Sequence, residues 1–227
     1  MGKQKPTKWD ERYQKEGHPW GDNQSPAATL LMQHLKPPAN IFEIGYGYGR
    51  DLLALARAGY HVSGIDESAI GKQEAQRQFR AENLKKPTLL KGDFTKATLP
   101  ADTYDGLLSH RTLHLITDRS LVVAFAQGAA RILKPGGLAV ISARDPRDFN
   151  PQQMAWMGDG LAKYTLPGRA GHVISFWDEG RFRDVFGQHF ADFEFVQASE
   201  IEAIANPGAQ SNITIMLTKK PAAPGLH

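Results

Sequence analysis

The order of elements along the chain predicts an α/β fold: a doubly wound, seven-stranded sheet, mostly parallel with a C-terminal antiparallel strand, and an N-terminal helical cap. Three observations carry this expectation. From residue 40 to about 145, short apolar runs alternate with segments whose apolar residues recur at helical spacing, and strict β-α-β-α alternation requires parallel strands with right-handed crossovers. A glycine-rich turn, "EIGYGYG", joins the first strand to its helix. Near the end, two strand-like runs are separated only by the turn-rich "ANPGAQ", which suits an antiparallel pair.

Residues 7–16 and 25–35 read as two short helices, the second opened by Ser25 as N-cap and Pro26 at the first helical position. The loop "GHPWGDNQSP" lies between them. After Pro37-Pro38, "NIFEIG" is a short buried strand and "RDLLALARAG" a helix closed by Gly59. "YHVSGID" is the second strand, followed by a helix capped by Ser68, and "PTLLKGD" is the third. "TYDGLLSH" is the fourth; the long helix "DRSLVVAFAQGAARILKPGG" follows, ending in Lys134-Pro135-Gly136-Gly137, and "LAVISARD" is the fifth strand.

From 146 to 176 the pattern lapses, with one helix expected over 151–163 and then a Gly/Pro-rich loop. An insertion here lands at the carboxyl edge of the sheet, where open α/β folds bind ligands; a lid and a plain surface excursion fit it equally. "DEGRFRDVF" is a helix, and "DFEFVQASEIEAI" and "SNITIMLTKK" are the last two strands. With no internal repeat or boundary, the expected organisation is one domain over 1–227: a cap segment at 7–36 and a core at 38–218 with the 146–176 insertion.

The bulk numbers agree with one α/β domain. The chain has 227 residues, 41% hydrophobic and 22% charged. Its net charge of +3 is far from the dense basic stripe of a nucleic-acid binder. Lys3, Lys5, Lys8, Lys219 and Lys220 at the two ends read as solvated tails. The absence of cysteine excludes disulfides, zinc thiolates and a cysteine nucleophile, and the scattered histidines show no metal-ligand spacing. No stretch approaches a membrane span and the N-terminus lacks an apolar leader, so a cytoplasmic protein is expected. Oligomeric state is not legible in the sequence.

The glycines Gly45, Gly47 and Gly49 are spaced G-x-G-x-G rather than the dinucleotide G-x-G-x-x-G, and Glu43 stands two residues before the first. A carboxylate beside the turn opposes a pyrophosphate but suits the cationic amino group of S-adenosyl-L-methionine. Asp66, ending the second strand, can accept both ribose hydroxyls of an adenosine; the competing use is a helix cap ahead of Ser68. Asp93 and Phe94 end the third strand, placed to hold an adenine amino group and stack on its ring.

With "EIGYGYG", "GID", "KGDF", "YDGLLSHRTLHLI" and "LKPGG", residues 38 to 218 resemble the class I S-adenosylmethionine-dependent methyltransferases, which implies a Rossmann-like sheet and methyl transfer. Tyr46 departs from the small residue many members carry, and either crowds the methionyl group or packs beside it. Upstream, "WDERYQKEGHPWGDNQSPAATLL" is similar to the N-terminal segment of the thiopurine, thiol and halide methyltransferases and of the tellurite-resistance methyltransferases. That resemblance implies that Trp9, Tyr13 and Trp20 close over the cofactor, where each aromatic face attracts a sulfonium by roughly 0.5–2 kcal/mol. The alternative for Trp9 and Tyr13, four apart, is pinning a helix onto the domain.

In "SHRTLHL", Ser109, His110, Arg111 and His114 follow the fourth strand, near the expected methyl position. Ser109 stands where the thiopurine and thiol families carry an acid. His110 and His114 are candidate general bases for an O- or N-nucleophile, and both Ser109 and His110 are candidate cofactor contacts; packed polar residues are the competing reading. Arg144 suits either an anionic substrate or a salt bridge. The expected activity is methyl transfer to a small molecule, with a soft nucleophile (thiol, halide or chalcogen) as acceptor or, alternatively, a metabolite O or N deprotonated by a histidine. A nucleotide-dependent oxidoreductase and a non-catalytic cofactor-binding module are the rivals, disfavoured by Glu43 and by the N-terminal aromatics.

Overall fold

The computed structural model describes residues 5–197 and 212–221. Its main sheet is built from β1 (Asn40–Ile44), β2 (His61–Asp66), β3 (Thr88–Lys91), β4 (Tyr104–His110), β5 (Leu133–Arg144), β9 (Phe190–Gln197) and β10 (Asn212–Lys219), in the order β3-β2-β1-β4-β5-β10-β9. β10 pairs antiparallel with both β5 and β9, whereas β1 to β5 pair in parallel. The seven-stranded, mostly parallel expectation therefore holds. Strand order reverses beside β1, whose neighbours are β2 and β4, and the carboxyl edge of an open sheet at such a point is where ligands bind.

Each face carries its own core because side chains alternate along a strand. From β1, Phe42 and Ile44 enter one cluster with Val122 and Phe125 of α5 (Arg119–Ile132) and Phe182 and Phe186 of α6 (Glu179–Phe186). Ile41 enters the other, with Leu31 of α2 (Pro26–His34), Leu52 and Leu55 of α3 (Arg50–Arg57) and Phe79 of α4 (Ala69–Ala81). The helix starts follow the local sequence. Ser25 caps α2 through Ala28 N, with Pro26 next, and Ser68 caps α4 through Gly71 N. Gly59, at φ 93°, ends α3 as expected.

The segment expected to be helical at 151–163 is instead a hairpin. β6 (Met154–Gly158), β7 (Leu161–Tyr164) and β8 (Val173–Ser175) form a separate antiparallel sheet. The cause is the turn: Gly158, Asp159 and Gly160 all have positive φ (92°, 49° and 70°), which a right-handed helix cannot accommodate. Met154, Ala162, Tyr164, Ile174 and Phe176 pack into a small core of their own.

The helix α5 stops at Ile132, short of the expected Lys134–Gly137 stop. Residues before a proline disfavour helical backbone, and Leu133 is already extended two residues ahead of Pro135. Lys219 and Lys220 do not belong to a solvated tail. Lys219 Nζ lies 2.5 Å from an Asp102 carboxylate oxygen and donates to the Leu133 carbonyl, and Lys220 donates to the Gly187 carbonyl. The "ANPGAQ" turn lies outside the described residues. No helix among the described residues is long and apolar enough to cross a membrane.

Candidate cofactor and acceptor site

The glycine turn after β1 is tied down by its own backbone and by one carboxylate. Gly45 N donates to the Ile65 carbonyl at 2.8 Å, and Gly47 N to Asp66 Oδ2 at 2.8 Å. Asp66 Oδ1 accepts from Ser68 N at 2.7 Å. Asp66 thus performs the capping role while standing at the tip of β2, and burial pushes its carboxyl up to about 6. Gly45, Gly47 and Gly49 all have positive φ. A Cβ at Gly45 would lie 2.0 Å from Thr112 Oγ1, and one at Gly47 2.6 Å from the Tyr13 hydroxyl. The turn thus has side chains of the cap and of the post-β4 segment pressed against it. Gly71 at the start of α4 is equally constrained, since a Cβ there would lie 2.4 Å from the Gly47 carbonyl.

The cap helix α1 (Lys8–Glu16) starts with a capping box between Thr7 and Asp10. The same Asp10 carboxylate accepts from Ser68 Oγ at 2.7 Å and from Ile70 N at 2.9 Å, so one buried acid serves the first turns of both α1 and α4. Burial raises its pKa, but these hydrogen bonds outweigh burial and hold the carboxyl at about 2. Tyr13 is buried at the centre of an aromatic group, its ring 6.2 Å from Trp9, 6.2 Å from Trp20 and 5.8 Å from Tyr48. His18 lies flat on Tyr48 at 4.5 Å and reaches Glu74 of α4 at 3.0 Å. The three aromatics singled out in sequence do come together beside the glycine turn.

Glu43 and Phe94 stand elsewhere than expected, and Tyr46 takes the packed one of its two readings. Glu43 does not face the mouth of the turn. It is 3% exposed, accepts from Leu52 N under α3, and has Asp51 beside it; burial, then the Asp51 charge, push its carboxyl well above the usual range. Tyr46 does not crowd the turn: its ring covers Gly64 of β2, and its hydroxyl donates to the Leu90 carbonyl. Phe94 is a core residue rather than a platform for adenine, with its ring against Phe42 and Phe125 in the α5-side cluster. Its neighbour Asp93 is partly exposed, accepts from Thr95 N and pairs with Lys96; burial opposes these partners but they hold its pKa below normal.

Across the switch point the residues are of opposite character. Ser109 is buried and donates to the Ile44 carbonyl. His110 Nδ1 lies 2.8 Å from Ser142 Oγ on β5, which also accepts from Arg111 N. His114 is 6% exposed, and its Nδ1 has no partner among the described residues. Burial first, and then the charges of Arg111 and Arg144, hold His114 well below the usual imidazole range; burial, Arg50 and Arg111 do the same to His110. Arg144 is 3% exposed, paired with Asp148 and bonded to the Tyr164 hydroxyl, so it is an ion pair in the interior rather than at the surface.

Sequence reading missed Thr112, Asp10, Tyr48, His18, Gly71, Asp148 and Tyr164. Asp10 carried a local signal, three residues after Thr7 at a helix start, and Asp148 stands four residues after its partner Arg144; the others act through contacts far along the chain.

The strand order, the glycine turn after β1 and the acid at the tip of β2 define the fold of the class I S-adenosylmethionine-dependent methyltransferases. Comparisons with known proteins agree. Residues 41–137 match the family described as a methyltransferase domain. A cypemycin N-terminal methyltransferase from Streptomyces sp is 31% identical over 115 residues, 48% of this chain and 43% of that protein. The chain spans less than half the length of the curated relatives it matches. Among solved structures, the PH0226 protein from Pyrococcus horikoshii OT3 superposes with a TM-score of 0.72 at 15% identity, covering 92% of this chain and 99% of that one. The 1,6-didemethyltoxoflavin-N1-methyltransferase from Burkholderia thailandensis, solved with its substrate and S-adenosylhomocysteine, superposes with a TM-score of 0.66 at 19% identity, covering 92% and 84%.

The residues fit the cofactor of that class. The glycine turn lies at the switch point after β1, Asp66 offers a carboxylate at the tip of β2, and aromatic rings stand beside both.

Proposed function

We propose that the protein transfers the methyl group of S-adenosyl-L-methionine to a small-molecule acceptor that arrives already deprotonated. The observation that carries this reading is the strand-tip carboxylate of Asp66, bonded to the glycine turn after β1, set across the switch point from two histidines held well below the usual imidazole range by burial. When bound, the cofactor supplies a sulfonium methyl, and transfer leaves neutral S-adenosylhomocysteine. The protein's part is alignment and exclusion of water, which supplies on the order of 7–11 kcal/mol in well-oriented reactions. In this reading Gly45, Gly47 and Gly49 admit the methionyl end, Asp66 accepts the ribose hydroxyls, and Asp93 holds the adenine amino group. Trp9, Tyr13 and Trp20 shut the cofactor in, and Ser109 and His110 border the methyl.

An imidazole held well below its usual pKa is a weak base, so an acceptor that ionises by itself suits this site better than an alcohol. A thiolate, halide or chalcogen anion is the favoured class, supported further by the resemblance of the cap segment. A nitrogen acceptor is the second reading, favoured because the Burkholderia neighbour is named an N1-methyltransferase. Incubation with labelled cofactor and a panel of thiols, halides, chalcogen oxyanions, phenols and amines tests both. With a soft acceptor, His110→Gln and His114→Gln each leave turnover within a few-fold of wild type. A loss of roughly a hundredfold in either variant, with a non-thiol substrate, assigns that histidine as a base and overturns the favoured class.

A further inference from the structure

We propose that His18 is the positioning residue of the cap: as an imidazolium clamped between Asp22 and Glu74 it holds the Trp20 loop shut on the glycine turn, and loss of its proton releases that loop. This rests on the methyltransferase reading above. The local chain places the ring. Gly17 ends α1 at φ 65° and turns the backbone. His18 then lies flat on Tyr48, 4.5 Å away with 5° between the planes, and Tyr48 stands between Gly47 and Gly49. Tyr48 also stacks on Trp20 at 6.1 Å, and its hydroxyl donates to the Gly21 carbonyl at 2.6 Å. Arg50 donates to the Trp20 carbonyl at 3.0 Å.

His18 Nδ1 lies 2.5 Å from Asp22 Oδ1, and Nε2 lies 3.0 Å from Glu74 Oε1 on α4. A carboxylate only accepts and a neutral imidazole has one N–H, so both contacts are hydrogen bonds only when the ring carries two protons. The cation also gains from the Tyr48 face against it. Without the second proton a nitrogen lone pair faces a carboxylate oxygen, and one of the two contacts opens. Around the clamp stand Arg77 of α4, Tyr13 of α1, Tyr48 of the glycine turn and Arg50 of α3. Arg77, bonded to Glu74 at 2.6 and 2.8 Å, and then His18 hold the Glu74 carboxyl below normal against burial. Burial pushes the Tyr13 and Tyr48 hydroxyls up, and Arg50 pairs with Asp51. A cavity of about 270 Å³ lined by Tyr13, His18, Tyr48 and Glu74 gives water access to the ring.

Amide exchange over residues 8–25 of the unliganded full chain and stopped-flow release of S-adenosylhomocysteine test the clamp, each at about pH 6.5 and about pH 8.5. In the wild type, protection corrected for intrinsic exchange is expected to fall, and release to quicken, by about five- to tenfold across that interval. His18→Gln is expected to be fast at both pH values. Glu74→Gln is expected to be slow at both, because its amide donates to the unprotonated nitrogen while the remaining N–H still reaches Asp22. Asp22→Asn supplies an amide from the opposite side and keeps the test in force if Glu74→Gln does not fold. Asp66, with its carboxyl raised to about 6, is present in every variant, so comparing slopes between variants isolates His18. No pH dependence in the wild type, or the wild-type slope retained in His18→Gln or in both amide variants, overturns the proposal. A pH-dependent exchange in a chain that fails to bind S-adenosylhomocysteine leaves the clamp standing and overturns the cofactor reading instead.

Discussion

The two sides of the switch point hold different kinds of ionisable group. On the β1–β2 side they are acids, Asp10, Glu43, Asp51 and Asp66, braced by backbone amides and hydroxyls. On the β4–β5 side they are histidines and arginine–carboxylate pairs: His110 and His114, with Arg144 against Asp148 and Arg147 against Asp145. The division also follows construction. The acidic side mixes ranges: Asp66 is two residues from Ser68 and one helix from the turn it braces, whereas Asp10 bonds Ser68 and Ile70, 58 and 60 residues on. The other side is assembled from β4, β5 and the inserted sheet.

The largest expected effect strikes the acidic side through packing alone. Gly71→Ala places a methyl 2.4 Å from the Gly47 carbonyl. Alanine inside a helix is ordinarily better than glycine by about 1 kcal/mol; here the order inverts, because α4 and the glycine turn must separate. Calorimetry should show S-adenosylhomocysteine binding weakened by roughly a hundredfold or more, with a lower Tm.

Next in size is Asp66→Ala, which removes a charged acceptor and weakens cofactor binding by roughly 1.5–3 kcal/mol, about ten- to a hundredfold. The pH dependence sharpens this. A carboxyl raised from 3.8 to about 6 in the folded state contributes stability below pH 4 that is lost as pH rises through 6. Cofactor that needs the ionised form should bind more tightly over that same interval. Tm of the unliganded protein and cofactor affinity therefore change in opposite directions between pH 4 and 7, and Asp66→Asn abolishes both trends. Parallel trends would show that another group titrates.

Asp10→Ala tests whether the cap belongs to the acidic side. Loss of a helix cap costs about 1 kcal/mol, and here two first turns lose theirs together, so Tm and cofactor affinity should both fall, the latter by about tenfold. The smallest effect belongs to Trp156→Ala on the inserted sheet. With half of its ring surface exposed, its loss should move stability by no more than about 0.5 kcal/mol and leave S-adenosylhomocysteine binding untouched, while acceptor KM rises. A drop in cofactor affinity there would erase the distinction between the two sides.

The same division explains what was legible in the sequence. Strands β1 to β5, the caps at Ser25 and Ser68, the stop at Gly59 and the three turn glycines each obey a local rule, and all are found as read. What failed depended on residues distant in sequence. The face on which Phe94 lands is decided by Phe42 and Phe125, and Glu43 is enclosed by a helix that begins seven residues later. The inserted hairpin was misread because "GDG" at 158–160 dictates a positive-φ turn that apolar periodicity does not reveal. The convergence of His114, Arg144 and Tyr164 has no sequence signature, since three elements must fold before they meet; Arg144 and Asp148, four residues apart, are the local pair among them.

The carboxylate of Asp10, shared between two helix starts, makes one proton a common lever for both. It closes the capping box with Thr7 and accepts from Ser68 Oγ and Ile70 N at the start of α4. With its carboxyl held at about 2, the stability it contributes is kept down to strongly acidic pH and is lost from α1 and α4 together as pH falls through that value.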